Sequence, residues 1–274
     1  MTMIAFTKMS GSGNDFILID NRGRILDEQS LTALVAGICR RRLSVGADGV
    51  ILIEPAAAAD FRWRFFNADG SRGEMCGNGA RCAARFAVMN GISGPEVRFE
   101  TDVGLIRARV EGAQVCVAMT DPVDLRLERP LALSTGVVRV STVNTGVPHA
   151  VLVVPDVDAV DVVAIGREIR RHPDFAPAGT NADFLCADGS GGLALRTYER
   201  GVEDETLACG TGAVAGALVA AETLGATSPV RVRTRSGEQL AVHFKRRGGR
   251  FGDIQQEGGA RVVYTGRLSE EAWR

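Results

Sequence analysis

Lysine is almost absent from this 274-residue chain, and histidine is scarce. The only lysines are Lys8 and Lys245, and neither lies in a sequence context typical of a pyridoxal-phosphate enzyme, so a Schiff-base mechanism is not expected. The three histidines, at positions 149, 172 and 243, and the cysteines lack the spacing of zinc ligands. The composition therefore favours chemistry that needs neither an organic cofactor nor a metal ion.

Long apolar runs are missing as well. Uncharged apolar stretches such as 213–221 are much shorter than the roughly 18 residues that a membrane-spanning helix requires. The first residues alternate like a β-strand and lack the basic and apolar regions of a secretory signal. The net charge of −1 gives no overall field that would attract nucleic acid or an anionic membrane. We expect a cytoplasmic protein that binds neither nucleic acid nor membrane.

The six cysteines are too few for a disulfide scaffold and form no Cys-x-x-Cys pair, so reduced thiols are expected. Two of them belong to an internal repeat. The motif Cys-Gly-x-Gly-Ala begins at Cys76 and again 133 residues later at Cys209. The same offset relates 97–101 to 230–234, as well as several glycines. A constant offset of this kind indicates a chain of two similar parts.

We predict an α+β protein of two pseudo-symmetric halves, residues 1–130 and 131–274, with an active site in the cleft between them. Each half is expected to be a strongly curved, mostly antiparallel sheet wrapped around one central buried helix, and the last strand could return to the first half. The central helices are predicted at 79–89 and 212–224, with Cys76 and Cys209 at their starts. The second is apolar on every face, which is typical of a helix buried all round.

Shorter patterns predict the remaining elements. Outer helices are expected at 27–42 and 160–171, the first ending in a solvated run of arginines at 40–42. Runs of alternating or β-branched residues predict strands in the first half. These runs are 2–7, 16–20, 50–54, 62–66, 97–101, 106–110 and 115–119.

A cysteine at the start of a helix lies near unpaired backbone N–H groups and the positive end of the helix dipole. That position binds anions and is expected to lower the pKa of the thiol. A single motif of this kind is more often structural, whereas two at matching places favour a function. If the halves pack about a pseudo-twofold axis, Cys76 and Cys209 could serve opposite faces of one carbon, which is the arrangement that inversion by two bases requires. The helix starts would then receive a carboxylate and stabilise the developing charge.

Several longer motifs make the chain resemble the diaminopimelate epimerase family over its whole length. These motifs are Lys8–Phe16, Phe66–Ser71, Glu74–Arg81, Asn144–His149, Gly179–Asn181, Tyr198–Gly201 and Glu205–Ala213. The resemblance implies interconversion of LL- and meso-diaminopimelate, a small-molecule substrate on the route to lysine and to peptidoglycan cross-links. It further implies a pyridoxal-independent reaction without a cofactor, and a homodimer.

The resemblance also implies roles for particular residues. Cys76 and Cys209 would be the two bases, and His149 and Glu199 would assist them. The residues that would hold the substrate are Asn14, Asn67, Asn181, Glu199 and Arg200. Those that would receive the carboxylate of the reacting centre are Gly77, Asn78, Gly210 and Thr211. Val147 departs from the family, in which many members carry a substrate-contacting asparagine, and Asn144 is a hypothetical replacement.

Other interpretations remain open at this point. A proline or hydroxyproline racemase would also use two cysteines as acid and base. In those enzymes the motif resembles Cys-Gly-His-Gly, whereas this chain has Asn78 in place of the histidine. A non-catalytic carboxylate-binding module could also keep the duplicated fold. From their local sequence, Asn14 and Asn67 could be simple turn residues. His149 could be a histidine at a strand start with its hydrogen bonds satisfied, and Glu199–Arg200 could be a surface ion pair. The other four cysteines are interpreted as packing residues, namely Cys39, Cys82, Cys116 and Cys186.

Overall fold

A computed structural model describes residues 3–73 and 75–274, so Thr2 of the first predicted strand and Glu74 of the Cys76 motif lie outside the described residues. The described chain forms 18 strands and four α-helices. The helices are α1 Leu31–Ile38, α2 Gly77–Met89, α3 Val162–Arg170 and α4 Gly210–Thr223. The strands are β1 Ile4–Gly11, β2 Asn14–Asp20, β3 Gly49–Glu54, β4 Phe61–Asn67, β5 Arg72–Gly73, β6 Glu96–Thr101, β7 Gly104–Glu111, β8 Gln114–Ala118, β9 Val123–Leu133, β10 Gly136–Asn144, β11 Pro148–Val153, β12 Asn181–Ala187, β13 Leu193–Glu199, β14 Asp204–Thr206, β15 Val230–Arg233, β16 Gln239–Arg247, β17 Arg250–Gly259 and β18 Arg261–Leu268.

This sheet-dominated composition confirms the predicted α+β class. The chain forms two compact units, one of residues up to 117 with 258–274, and one of residues 118–257. The last strand, β18, pairs antiparallel with β1 in the first unit. Residue 130 lies inside β9. No helix in the described ranges combines the length and apolar character needed to cross a membrane.

In the first unit, the strands pack around α2. Most neighbouring strands are antiparallel, whereas β2–β3 and β4–β6 are parallel pairs. Helix α2 contacts β1, β2, β3, β6 and β7 and buries its small residues Ala80, Ala83, Ala84 and Ala87. Small side chains let the surrounding strands approach this helix closely.

The second unit repeats that plan around α4. Its parallel pairs are β11–β12 and β13–β15, and its other described pairs are antiparallel. Every residue from Gly212 to Ala220 is buried, as the uniformly apolar sequence of this helix predicts. An apolar cluster from the surrounding strands covers it, including Val143, Leu185, Val232 and Leu240.

The strand predictions of the first half are confirmed within two residues at either end, except at the first strand, which begins later and runs to Gly11. The outer helix of the second half is also confirmed. The prediction of a helix over 27–42 is wrong in extent, because α1 covers only Leu31–Ile38. The Asp27 carboxylate accepts the backbone N–H of Ser30 and holds a turn before the helix.

The chain also leaves α1 early at its other end. Arg42 adopts a left-handed φ of 70°, and Gly46 N–H donates to the Ile38 carbonyl at 2.9 Å. Arg40, Arg41 and Arg42 are exposed, as predicted, but they lie beyond the end of α1. The Arg41 guanidinium lies 2.6 Å from Asp15 of β2 and 2.8 Å from Asp48, which precedes β3, so ion pairs link this exposed segment to both strands.

Packing of the buried helix α4 should contribute strongly to the stability of the second unit. We expect Leu218→Ala to lower the free energy of unfolding by about 2–5 kcal/mol, because Leu218 is completely buried and its truncation leaves a cavity. Leu224→Ala is the matched control, since this residue is 47% exposed at the end of the same helix. Urea unfolding measures both variants, and equal destabilisation would contradict the assignment of the core.

Candidate active site

Each cysteine of the repeat is the N-cap of the buried helix in its unit. Cys76 has extended backbone angles, and its Sγ accepts the Gly79 N–H at 3.5 Å. Cys209 has the same arrangement, with its Sγ 3.4 Å from the Gly212 nitrogen. Both sulfur atoms therefore lie at the positive end of a helix dipole. Cys76 is half-buried, whereas Cys209 is only 6% exposed.

The backbone at these helix starts can receive an anion. Gly79 and Ala80 direct their N–H groups at the sulfur and carbonyl of Cys76, so the N–H groups of Gly77 and Asn78 have no acceptor within the helix. The equivalent groups in the second unit belong to Gly210 and Thr211. Side chains fix the carbonyls there, since Gln256 donates to Gly210 at 2.7 Å and Thr145 donates to Thr211 at 3.0 Å.

Burial outweighs the hydrogen bonds that favour the thiolate of Cys209. Burial raises the pKa of this thiol well above its usual value, and the negative charges of Glu199 and Asp183 add to the effect. Hydrogen bonds from Thr211 and the Gly212 N–H favour the thiolate but contribute less. The expectation of a lowered pKa is therefore wrong for Cys209. The thiol is the favoured form of this residue.

A line of hydrogen bonds leads away from the Cys209 sulfur. Thr211 Oγ1 lies 3.4 Å from Sγ and 2.9 Å from Nε2 of His149. The other ring nitrogen of His149, Nδ1, lies 2.7 Å from a carboxylate oxygen of Asp183. His149 is 1% exposed and Asp183 is fully buried. His149 is thus hydrogen-bonded on both sides and is linked to the cysteine through a hydroxyl group.

Asp183 is a site residue that sequence reasoning missed. It lies in β12 directly opposite Thr197 of β13, whose hydroxyl donates to its second carboxylate oxygen at 2.7 Å. The available signal was a single acidic residue within the buried segment 181–187, because a charge in such a strand is seldom tolerated unless it is paired. Gly212 also depends on it, since a Cβ atom there would lie 2.5 Å from the Asp183 carboxylate.

Asn181, Glu199 and Arg200 surround this end of the second unit. The Asn181 carboxamide joins two segments, because its oxygen accepts the Arg200 backbone N–H at 2.8 Å and its nitrogen donates to the Pro148 carbonyl at 3.1 Å. Burial raises the pKa of the half-buried Glu199 carboxyl, while the nearby His149 acts in the opposite direction. The Arg200 guanidinium is half-buried and donates to the Ala178 carbonyl at 3.3 Å. Among the described residues, Glu199 and Arg200 do not form the ion pair considered from the sequence.

In the first unit, the structure brings Asn14 and Asn78 together. Asn78 Nδ2 donates to Asn14 Oδ1 at 2.5 Å, and Asn14 donates in turn to Asp48 at 3.2 Å. The fully buried Arg81 donates to Asn78 Oδ1 and to Ser12 Oγ, both at 2.8 Å. These bonds fix which end of each carboxamide is which. Arg81 and Asp48 are further residues to which sequence reasoning gave no role.

Two other polar residues make hydrogen bonds within their own turns. Asn67 ends β4 and donates to Ser71 Oγ at 3.0 Å, so the turn interpretation describes its local contacts. Asn144 accepts the Gly146 N–H at 2.9 Å in an Asx-turn beside the half-buried Val147. A substrate contact by Asn67 or Asn144 stays a prediction.

All six cysteines are free thiols, and the four outside the repeat are buried, as expected for packing residues. For Cys39, burial raises the pKa to about 12, so this thiol is inert at neutral pH. Within residues 3–73 and 75–274, no group of three or more histidine, cysteine or acidic residues could hold a metal ion.

Known proteins with the same fold include two solved structures at low sequence identity. A Bacillus anthracis protein described as a phenazine biosynthesis protein of the PhzF family has a TM-score of 0.76 at 15% identity and covers 98% of this chain and 100% of its own. A hydroxyproline epimerase from Agrobacterium vitis has a TM-score of 0.69 at 18% identity, with coverages of 98% and 93%. These neighbours agree with the predicted fold of two units.

Sequence comparison is more specific. The model of the family described as diaminopimelate epimerase matches residues 6–125 and 141–263. A diaminopimelate epimerase from Aquifex aeolicus (strain VF5) is 46% identical over an alignment of 277 residues. The alignment covers 97% of this chain and 98% of the relative. One from Chlorobaculum tepidum is 44% identical over 268 residues, with coverages of 95% and 100%. The resemblance carried by the motifs is thus confirmed, and the chain belongs to the diaminopimelate epimerase family.

Proposed function

We propose that this protein is an isomerase that interconverts LL- and meso-diaminopimelate by moving a proton at one α-carbon between Cys76 and Cys209. The observation that carries the proposal is the matching position of these two cysteines at the starts of the buried helices. Each caps a buried helix at a Cys-Gly-x-Gly motif, and its sulfur accepts the N–H of the second glycine. Membership of the diaminopimelate epimerase family supports the choice of substrate.

The chemistry gives the two cysteines complementary roles. Inversion requires one sulfur, as thiolate, to remove the α-proton while the other, as thiol, protonates the opposite face of the carbon. Both sulfur atoms must therefore reach one α-carbon. Because burial raises the pKa of Cys209, this residue is the proton donor in the form of the enzyme described above. The roles reverse when the reaction runs in the other direction.

Backbone and side-chain donors stabilise the substrate. The N–H groups of Gly77–Asn78 and Gly210–Thr211 receive the carboxylate at the reacting carbon, where negative charge develops as the proton leaves. Each carboxamide of Asn14 and Asn78 uses one N–H within the protein, so its second N–H can donate to the substrate. Asn67 and Asn181 are assigned to substrate contacts by the family resemblance.

The second amino-acid end of diaminopimelate carries a carboxylate and an ammonium group, and both require charged partners. Arg200 is suited to the distal carboxylate, because a planar guanidinium can donate two parallel hydrogen bonds to it. Glu199 is suited to an ammonium group, since such a charge offsets the burial that raises the pKa of its carboxyl. His149 assists Cys209 through Thr211.

The duplication and the cellular context are part of the same proposal. The two halves, 1–130 and 131–274, are interpreted as products of an internal duplication. The family model matches two segments of similar length, which supports this interpretation.

A cytoplasmic homodimer is the proposed form of the enzyme. Light scattering on the purified protein measures its oligomeric state.

A proline or hydroxyproline racemase is not favoured, because Asn78 replaces the histidine expected after Cys-Gly and Arg200 is suited to a longer substrate. We expect the purified protein to convert LL-diaminopimelate to the meso isomer and to leave L-proline unchanged. Chiral chromatography measures both reactions on one preparation. Turnover of L-proline alone would contradict the substrate assignment, and a protein that binds diaminopimelate without converting it would support a non-catalytic module.

Removal of either sulfur should stop the reaction. We expect Cys76→Ala and Cys209→Ala each to reduce kcat for epimerisation by at least about 1000-fold, because neither variant can both remove and deliver a proton. Cys186→Ala is the matched control, as this cysteine is buried in β12 and is interpreted as a packing residue. Near-normal turnover by either of the first two variants would refute the two-base assignment.

A further inference from the structure

Thr211 connects the Cys209 sulfur to the histidine predicted to assist it. Thr211 lies between them, with Oγ1 3.4 Å from the sulfur and 2.9 Å from His149 Nε2. On the far side of the ring, Asp183 lies 2.7 Å from Nδ1 and is itself fixed by Thr197 at 2.7 Å. The four residues Cys209, Thr211, His149 and Asp183 therefore form one continuous line, called here the Cys209 relay.

The hydrogen bonds of the relay run in one direction when Asp183 is a carboxylate, His149 is neutral and Cys209 is a thiol. Both carboxylate oxygens then accept, so His149 must carry its proton on Nδ1. The neutral Nε2 atom accepts the Thr211 hydroxyl proton. The Thr211 oxygen in turn accepts the S–H of Cys209. Asp183 thus sets the tautomer of His149 without contacting the cysteine or Thr211.

We propose that Thr211 passes the Cys209 proton to His149, and that Asp183 is the positioning residue that makes His149 able to accept it. In this step the S–H bond of Cys209 breaks and an O–H bond forms at Thr211. The original Thr211 proton moves to His149 Nε2. The products are the Cys209 thiolate and the His149 imidazolium, and the total charge is unchanged. The inference rests on the proposed function, because it concerns the same cysteine.

Burial explains why a relay is needed. Cys209 is 6% exposed, so direct exchange of its proton with bulk water is hindered. The carboxyl groups of Glu199 and Asp183 also oppose a negative charge on the sulfur. An imidazolium formed nearby offsets these charges, and the Asp183 carboxylate stabilises it at 2.7 Å. The relay thereby makes the thiolate available at a position where the thiol is otherwise favoured.

The Thr211 hydroxyl can be tested by two variants of the full-length protein. Thr211→Val keeps the shape of the side chain but removes the hydroxyl, whereas Thr211→Ser keeps the hydroxyl. The substrate-free proteins are treated with methyl methanethiosulfonate between pH 6 and pH 10, and mass spectrometry follows the peptide that contains Cys209. The Cys76 peptide is an internal control, and Glu199, Asp183 and His149 are identical in both variants.

We expect Thr211→Val to slow modification of Cys209 about tenfold at neutral pH and to raise the midpoint of its pH profile by about one unit. Thr211→Ser should follow the wild-type profile, and Cys76 should react equally in all three proteins. Asp183→Asn should resemble Thr211→Val, because losing the carboxylate 2.7 Å from the imidazolium outweighs losing its repulsion of the thiolate. Thermal unfolding checks that each variant is folded.

Equal Cys209 profiles for Thr211→Val and Thr211→Ser would overturn the relay. A Cys209 peptide that stays unmodified in the wild-type protein at every pH would also overturn it, because no accessible thiolate would then form. Neither outcome depends on turnover. Epimerisation of LL-diaminopimelate by the same wild-type preparation tests the proposed function separately, so a failure of one can be told from a failure of the other.

Discussion

A cysteine sulfur that accepts the N–H of a glycine at the start of a buried helix is the interaction on which each unit depends. The sulfur satisfies a backbone donor that burial would otherwise leave unpaired. A larger residue is disfavoured at both glycines, since a Cβ at Gly212 would lie 2.5 Å from the Asp183 carboxylate and one at Gly79 would lie 3.1 Å from Ile51. Helix start, glycine and neighbouring strands are therefore fixed together, and the cysteine that caps each helix is the residue proposed to transfer the proton.

Burial of this kind has two opposite consequences for the chemistry. It excludes water and holds the sulfur in place, which favours proton transfer between fixed groups. It also raises the pKa of Cys209, which disfavours the thiolate that a base needs. In the proposed relay, buried polar side chains of the surrounding strands offset that cost by placing the Cys209 proton on His149. His149, Asp183 and Thr197 come from three different strands, and each is hydrogen-bonded to another of them.

Local patterns were sufficient to predict much of the fold. The strands of the first half and the central helices follow from alternation and from the repeated motif, and uniform apolarity identified α4 as buried. Residues 27–30 and 39–42 were wrongly assigned to α1, because the Asp27 turn and the left-handed Arg42 depend on contacts that periodicity does not reveal. Asp183 and Arg81 were missed for a related reason. Arg81 bonds to Ser12 and Asp183 bonds to His149, and both partners lie far away in the sequence. Asp183, which helps to raise the pKa of Cys209, is likewise distant from that cysteine in the sequence.

The central claim is that two thiols exchange hydrogen with opposite faces of one carbon. Its most direct test is the position of the label when LL-diaminopimelate reacts in deuterium oxide and the reaction is stopped at low conversion. The account predicts deuterium at the inverted α-carbon of the meso product and unlabelled LL-diaminopimelate in the recovered substrate. Deuterium appearing in the recovered substrate as fast as in the product, or a product that keeps its original hydrogen, would contradict the account, because a single base would then serve both faces.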